Sequence, residues 1–223
     1  MRILFLTNNP ASLPLSDWLA NRTEQNEVIL WHEKLNKNNI IDIQPTIVIS
    51  YSYSHILRAD VLDLLPNRFL NLHISLLPYN RGADPNAWSF LENTPKGVSI
   101  HLIDAGVDTG KVLIQKEVIF DEGSETLGHT YRVLQQEIIA LFCEHWEELR
   151  DGTMRPIPQV GDGTFHYAKE FAKIKDCLLG EEGWDVTISS FKARYNNLIG
   201  NKSEQRLERD KGFGGMLAGN VFK

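Results

Sequence analysis

The chain has 223 residues, 42% of them hydrophobic and 23% charged, with a formal net charge of −6. A chain this long buries roughly 70–75% of its unfolded surface without staples, and the composition excludes a disordered, collagenous or disulfide-dense protein. The acidic balance argues against an extended nucleic-acid surface, which needs clustered Lys and Arg to release counterions.

The opening MRILFL meets the polar pair Asn8-Asn9 too soon for a signal h-region or a membrane span, so a cytoplasmic protein without membrane contact is expected. Arg2–Thr7 reads as a buried strand, and Asn8-Asn9-Pro10 with Ser12 opens a helix carrying Leu15, Trp18 and Leu19 at helical spacing. Glu27–Trp31 and Thr46–Ser50 are the next strands, followed by a helix near Arg58–Leu65 that Pro66 ends. Phe69–His73 is a fourth strand, Pro85–Leu91 a short helix, Gly97–Asp104 a fifth strand and Lys111–Phe120 its hairpin partner across the Asp104–Gly110 loop. From Ser124 to about Leu149 the pattern predicts one long helix, because Tyr131, Leu134, Ile138, Leu141, Phe142, His145 and Leu149 form an apolar stripe; Asp151-Gly152 stops it. Beyond Arg155 the chain is rich in turns, with small helices near Lys169–Leu178 and Thr187–Leu198. The expected organisation is a main α/β domain over 1–150, a tail over 151–200 packed on it, and a segment 201–223 without periodic signal. Strands interleaved with helices predict an open, mostly parallel sheet whose ligands sit beyond the carboxyl ends of its strands.

Several chemical motifs fail. GVDTGK at 106–111 is one residue short of a P-loop, and Val112 stands where the magnesium-binding hydroxyl belongs. Ser75 lies in HISLL and not in GxSxG. Cys143 and Cys177 form no CxxC, so neither a zinc site nor a disulfide is expected. What stands out is Asn71-Leu72-His73 at the end of a strand, where i and i+2 share a face, with His101, Asp104 and Asp108 around the next strand and its loop. Two plainer readings stand beside a catalytic one. His73 could be a satisfied core histidine with Asn71 a turn former, or His73, His101, Asp104 and Asp108 could be metal ligands, although no pair of them has helical ligand spacing.

Asn71-x-His73-x-Ser75-Leu76-Leu77-Pro78, then Arg81-Gly82 and, after GVSIHLID, Asp108-Thr109-Gly110, resembles the 10-formyltetrahydrofolate-dependent formyltransferase family. The similarity runs over about residues 1–150, with a weaker echo in Trp184–Tyr195. It implies an α/β, Rossmann-like fold: a mostly parallel sheet flanked by helices, with a C-terminal hairpin, a long helix and a short packed tail. It also implies an N-formyltransferase with Asn71, His73 and Asp108 as the catalytic residues. Asn71 would donate to the oxyanion, His73 would move the amine proton near neutral pH, and Asp108 would hold the imidazole or a relay water. 10-Formyltetrahydrofolate is then the co-substrate, with no metal, its pterin between Ile56-Leu57 and the loop Asp104, Ala105, Val107. His55 stands where some relatives have Arg, and His101 matches a supporting position.

The expected acceptor is the amine of a nucleotide-linked amino sugar, a 4-amino-4,6-dideoxy sugar on UDP or dTDP, in a pathway of the pseudaminic-acid type. The chain is shorter than relatives that carry a tRNA-recognition barrel, and TNNPASLPL lacks the small-residue phosphate loop of glycinamide ribonucleotide enzymes. Arg81 is the natural diphosphate partner. Asn8, Asn9 and Ser12 lie beside a helix N-terminus, and Tyr79 and Asn80 share the loop of Arg81, so all six are expected substrate contacts. The expected partner is this small molecule and not a nucleic acid, and a homodimer is left open. Glycinamide ribonucleotide formylation and a non-catalytic formylfolate- or nucleotide-binding module are the alternatives.

Overall fold

A computed structural model describes residues 1–200; the segment 201–223, unassigned from the sequence, lies outside the described residues. In chain order the strands and helices are β1 (Arg2–Leu6), α1 (Leu13–Ala20), β2 (Glu27–Trp31), α2 (Lys37–Ile43), β3 (Ile47–Tyr51), α3 (Ala59–Leu62), β4 (Phe69–His73) and β5 (Arg81–Gly82). They continue with α4 (Pro85–Leu91), β6 (Gly97–Leu102), β7 (Val112–Glu117), α5 (Leu127–Glu144), α6 (Trp146–Asp151), β8 (Phe165–His166), α7 (Ala168–Ala172), α8 (Lys175–Leu179) and a last helix α9 over 188–200. One sheet has the order β2-β1-β3-β4-β6-β7. Its first four strands are parallel, while β6 runs antiparallel to both β4 and β7. This is the Rossmann-like, mostly parallel α/β sheet expected, with β6 and β7 as the hairpin.

The period of two along the strands builds two cores. Ile3, Phe5, Ile47, Ile49, Leu70, Leu72, Val98 and Ile100 face α1, α5 and α6 through Leu15, Leu19, Leu134, Ile138, Phe142 and Trp146. The alternate residues Leu4, Leu6, Val48 and Phe69 face Leu35, Ile40 on α2, and Leu57 and Val61 around α3. These two short helices cover the β2-β1-β3 part of that face. After β4 the chain passes into the loop 74–80 and β5, with no covering helix over β4 and β6. Asn71 and His73, out of phase with Leu70 and Leu72, point to this helix-free area.

A third cluster joins α4 to the tail, with Trp88, Phe90 and Leu91 packed among Phe171, Leu178, Val186, Ile188 and Phe191. Four boundaries differ from expectation. The single long helix is two, divided where His145 leaves helical geometry (φ −108°, ψ 19°), while the apolar stripe continues through Trp146 and Leu149. It starts at Leu127, where the Thr126 hydroxyl accepts the His129 N–H at 3.2 Å, while Ser124 is spent on a turn with Asp121. The helix expected near Arg58–Leu65 keeps only Ala59–Leu62, and the one near Lys169–Leu178 divides into α7 and α8. Among the described residues no helix is long and apolar enough to cross a membrane.

Candidate active site

Antiparallel pairing sets Asn71 opposite His101 and His73 opposite Ser99, so the polar side chains of two strands share a face on which His73, Ser99 and His101 are buried under loops rather than helices. Asp108 reaches them from the loop that follows β6. Gly110 explains why this loop needs Asp-x-Gly: a Cβ there would lie 1.7 Å from the Leu102 carbonyl oxygen, so only glycine lets the loop close against β6. Asp108 itself has φ +53°, a left-handed conformation that Asp tolerates better than most residues.

The Asp108 carboxylate is the hub. Oδ1 accepts Asn71 Nδ2–H at 3.1 Å and lies 3.5 Å from His101 Nε2. Oδ2 accepts the Gly82 backbone N–H at 2.8 Å and lies 3.6 Å from His73 Nδ1. Burial pushes this carboxyl up, but the two imidazoles and the Gly82 N–H outweigh burial and hold it well below the usual carboxylate range. The tautomers follow from carbonyl acceptors. His101 Nδ1–H donates to the Leu102 carbonyl at 2.8 Å, which leaves Nε2 to accept from Asn71 Nδ2 at 3.1 Å. His73 Nε2–H donates to the Asn80 carbonyl at 2.9 Å, which turns Nδ1 toward Asp108. Both N–H groups of the Asn71 amide are therefore engaged, one with Asp108 and one with His101.

Sequence reasoning missed the tail's part in this site. The Gln159 amide accepts Arg81 Nε–H at 3.0 Å and Nη2–H at 2.6 Å through Oε1. Its Nε2 donates to the Asp108 and Gly110 carbonyls, both at 2.8 Å. Thr164 Oγ1 accepts the Asn80 N–H at 2.8 Å, and β8 pairs in parallel with β5, Arg81 beside Phe165 and Gly82 beside His166. A lone glutamine in a turn-rich stretch and two-residue strands carry no periodic signal, so only the folded chain reveals them.

The other expected residues fall into two groups. Ser12 is fully buried, its hydroxyl paired with Thr7 Oγ1 at 2.6 Å. Asn8 holds the Ser54 N–H and the His32 carbonyl, and Asn9 caps the turn through Ala11 and donates to Tyr131. Asn80 is fully buried, with its side chain on Thr94, Thr164 and Glu92. The polar atoms of these four residues are spent on the framework. Trp88 is buried and stacked on His166, with centroids 3.9 Å apart. Asp104 closes its own loop on Gly106 and Thr109. Tyr79 and Arg81, on either side of the Asn80 whose carbonyl holds His73, remain partly exposed, Ile56 is exposed, and Leu57 is buried in the α3 core. Among the described residues no group of three His, Cys, Asp or Glu side chains is arranged to hold a metal ion.

Asn, His and Asp joined in one network on a loop-covered sheet face can be compared with known proteins. Residues 16–143 match the family described as formyl transferase. The chain belongs to that family. The match includes Asn71, His73 and Asp108 and leaves Gln159 and Thr164 outside it. The chain is 31% identical over 178 residues to the methionyl-tRNA formyltransferase of Thermodesulfovibrio yellowstonii, covering 72% of this chain and 57% of that protein. For the methionyl-tRNA formyltransferase of Clostridium botulinum the identity is 34% over 175 residues, with 72% and 56% covered. The chain thus spans about half the length of the curated relatives it matches. Among solved structures, the formyltransferase PseJ from Anoxybacillus kamchatkensis, in complex with UDP-4,6-dideoxy-4-formamido-L-AltNAc and tetrahydrofolate, is 41% identical with a TM-score of 0.78. That match covers 86% of this chain and all of the other. A 4-N formyltransferase from Francisella tularensis, 19% identical with a TM-score of 0.70 and 87% of each chain covered, shows the shared fold.

Proposed function

We propose that the chain transfers the formyl group of 10-formyltetrahydrofolate to the amino group of a nucleotide-linked amino sugar. The observation that carries this reading is the Asn71–His73–Asp108 network at the carboxyl end of β4. It is supported by 41% identity, over 86% of this chain and all of the other, to a formyltransferase solved with a UDP-linked 4-formamido sugar and tetrahydrofolate.

The chain offers groups that fit a pterin beside this network. Ile56 is exposed, and the backbone groups of Ile56, Leu57, Ala105 and Val107 make no hydrogen bond to other described residues. They would hold the heterocycle between two loops at the sheet's carboxyl edge. When bound, the formylfolate supplies an activated formyl carbon and a nitrogen leaving group. His73 Nδ1 takes the proton released by the attacking amine, and Asp108 Oδ2, 3.6 Å away, stabilises the imidazolium that results. Asn71 turns one N–H from His101 toward the charge developing on the formyl oxygen, while its other N–H stays on Asp108. His101 is a positioning residue, 1% exposed and in contact with Asn71 and Asp108. Arg81, held by a neutral amide and facing no carboxylate among the described residues, keeps its charge for the diphosphate.

A second reading, transfer to methionyl-tRNA, is favoured by the 31% and 34% identical relatives. Incubation with 10-formyltetrahydrofolate and a panel of acceptors separates the two, with product mass and folate release as readouts. The panel holds UDP- and dTDP-linked 4-amino-4,6-dideoxy sugars, glycinamide ribonucleotide and methionyl-tRNA. Formylation of a sugar nucleotide is expected. Product with methionyl-tRNA alone, or with glycinamide ribonucleotide alone, overturns the sugar assignment.

A further inference from the structure

β8 and the residue after it alternate in direction. His166 points inward, stacked on the buried Trp88 with planes 5° apart, and its Nε2 lies 3.0 Å from Glu92 Oε1. Phe165 and Tyr167, on either side of it, are 39% and 57% exposed and meet edge to face at 4.7 Å. Two exposed aromatic rings in contact leave more apolar surface in water than a solvated loop requires, so they need a reason.

Their position supplies one. The parallel register sets Phe165 beside Arg81, and the Phe165 ring lies against Gly82, where a Cβ would meet Cε2 at 3.0 Å. The same Gly82 donates its N–H to Asp108. An exposed aromatic ring lies level with a guanidinium that has no carboxylate partner among the described residues, one position from Gly82, whose N–H holds the catalytic carboxylate. These neighbouring groups suit a base, a diphosphate and a reacting sugar. Lys169 Nζ, 5.2 Å from the Tyr167 ring centroid, adds positive charge beside the aromatic pair.

We infer that Phe165 and Tyr167 form the base-stacking half of a nucleoside-diphosphate subsite, in which a pyrimidine stacks on one ring with the perpendicular ring as its side wall, and its diphosphate lies on Arg81. This rests on the nucleotide-sugar reading and adds to it the seat of the nucleoside, on tail residues outside the matched family segment. A stacked base is sequence-tolerant and worth about five- to a hundredfold in affinity on truncation of its aromatic partner.

The test is calorimetric titration of the full chain with UDP, with dTDP and, separately, with tetrahydrofolate. In Phe165→Ala and Tyr167→Ala the dissociation constant for UDP is expected to rise about tenfold or more, with tetrahydrofolate affinity unchanged, and Phe165→Tyr is expected to restore UDP binding. Wild-type UDP binding that survives the double alanine variant overturns the subsite and leaves the sugar reading standing. Wild-type protein that binds neither nucleotide and formylates no sugar nucleotide overturns the reading beneath it. Should the variants lose tetrahydrofolate binding as well, and so report misfolding, photo-crosslinking of wild-type protein with 5-iodo-UDP decides: an adduct on Phe165 or Tyr167 supports the subsite, and adducts confined to other residues refute it.

Discussion

Four polar contacts converge on Asp108: Asn71 and the Gly82 N–H as hydrogen bonds, and His73 Nδ1 and His101 Nε2 at 3.6 and 3.5 Å, which become charge partners when protonated. Replacing it with Asn keeps the shape but removes the charge that would stabilise an imidazolium. Turnover in Asp108→Asn and in His73→Ala is expected to fall roughly 10²–10⁴-fold, with tetrahydrofolate affinity retained; steady-state kinetics beside a binding titration checks both. The carboxylate also links to stability. Its folded pKa is depressed, so its contribution is complete above the ordinary value near 3.9 and is lost as acid carries the pH down through the lowered folded pKa. The melting-temperature gap between wild type and Asp108→Asn should therefore narrow steadily below about pH 4. A gap that stays constant in acid would show that the histidines do not hold this carboxylate. Gln159 acts one step further out. Gln159→Leu removes two bonds to Arg81 and two to the Asp108 loop, and misplacement on that scale costs up to about a hundredfold in rate. A raised KM for the nucleotide sugar together with a lowered kcat is expected, since the amide serves both the phosphate-binding and the catalytic side. Gln159→Glu keeps the acceptors for Arg81 but neutralises its charge, and it sets an oxygen against the Asp108 and Gly110 carbonyls in place of the N–H, so it should raise KM for the sugar nucleotide and lower kcat at least as far as Gln159→Leu does.

At the level of elements, the site exists because β4 is not followed by a covering helix. The chain instead runs through SLLPYNRG, whose Asn80 carbonyl anchors His73 and whose Gly82 N–H anchors Asp108. Gly82 has φ +86°, and a Cβ there would come within 2.3 Å of the His166 carbonyl oxygen. Gly82→Ala is expected to part β5 from β8, costing more than about 1 kcal/mol and most of the turnover; chemical denaturation and kinetics on one preparation would show both losses together. Asn36→Ala is the contrasting case. It removes the cap that accepts the Asn38 and Asn39 N–H groups at the start of α2, and should cost about 1 kcal/mol while leaving kcat in place.

The same elements show what a sequence can carry. β1 to β4 and β6 were readable because each is a short apolar run between turn formers, and Asn71 and His73 because two polar residues at i and i+2 interrupt such a run at its end. Their union with Asp108 was legible only through the spacing of a family motif, since 37 residues separate Asn71 from that carboxylate. α2 passed unread because KNNIIDI is short and Asn-rich, and its signal is the cap rather than the stripe. The break at His145 leaves no trace in a stripe that continues beyond it. Gln159 binds two main-chain carbonyls, which have no sequence signature.

Across the whole molecule the tail and the sheet are held together by one buried cluster. Phe171, Leu178, Val186, Ile188 and Phe191 pack on Ala87, Trp88, Phe90 and Leu127, while Leu127 N–H and Ile188 N–H bond across to the Val186 and Glu125 carbonyls. The far end of the same tail supplies Gln159, Thr164 and the β8 strand to the site. Loosening the cluster should then reach the chemistry from a distance, through the ribbon. Phe191 is fully buried, and Phe191→Ala is expected to cost about 3–5 kcal/mol. If sheet and tail unfold as one unit, tryptophan fluorescence, reporting Trp88 in the tail cluster and Trp146 in the sheet core, and far-ultraviolet circular dichroism should give a single urea transition with a common midpoint, shifted down together in the variant. An earlier transition that changes fluorescence and removes only the helical signal of the tail, before the sheet signal is lost, would show instead that the tail opens by itself and that the site can lose its Gln159 clamp without global unfolding.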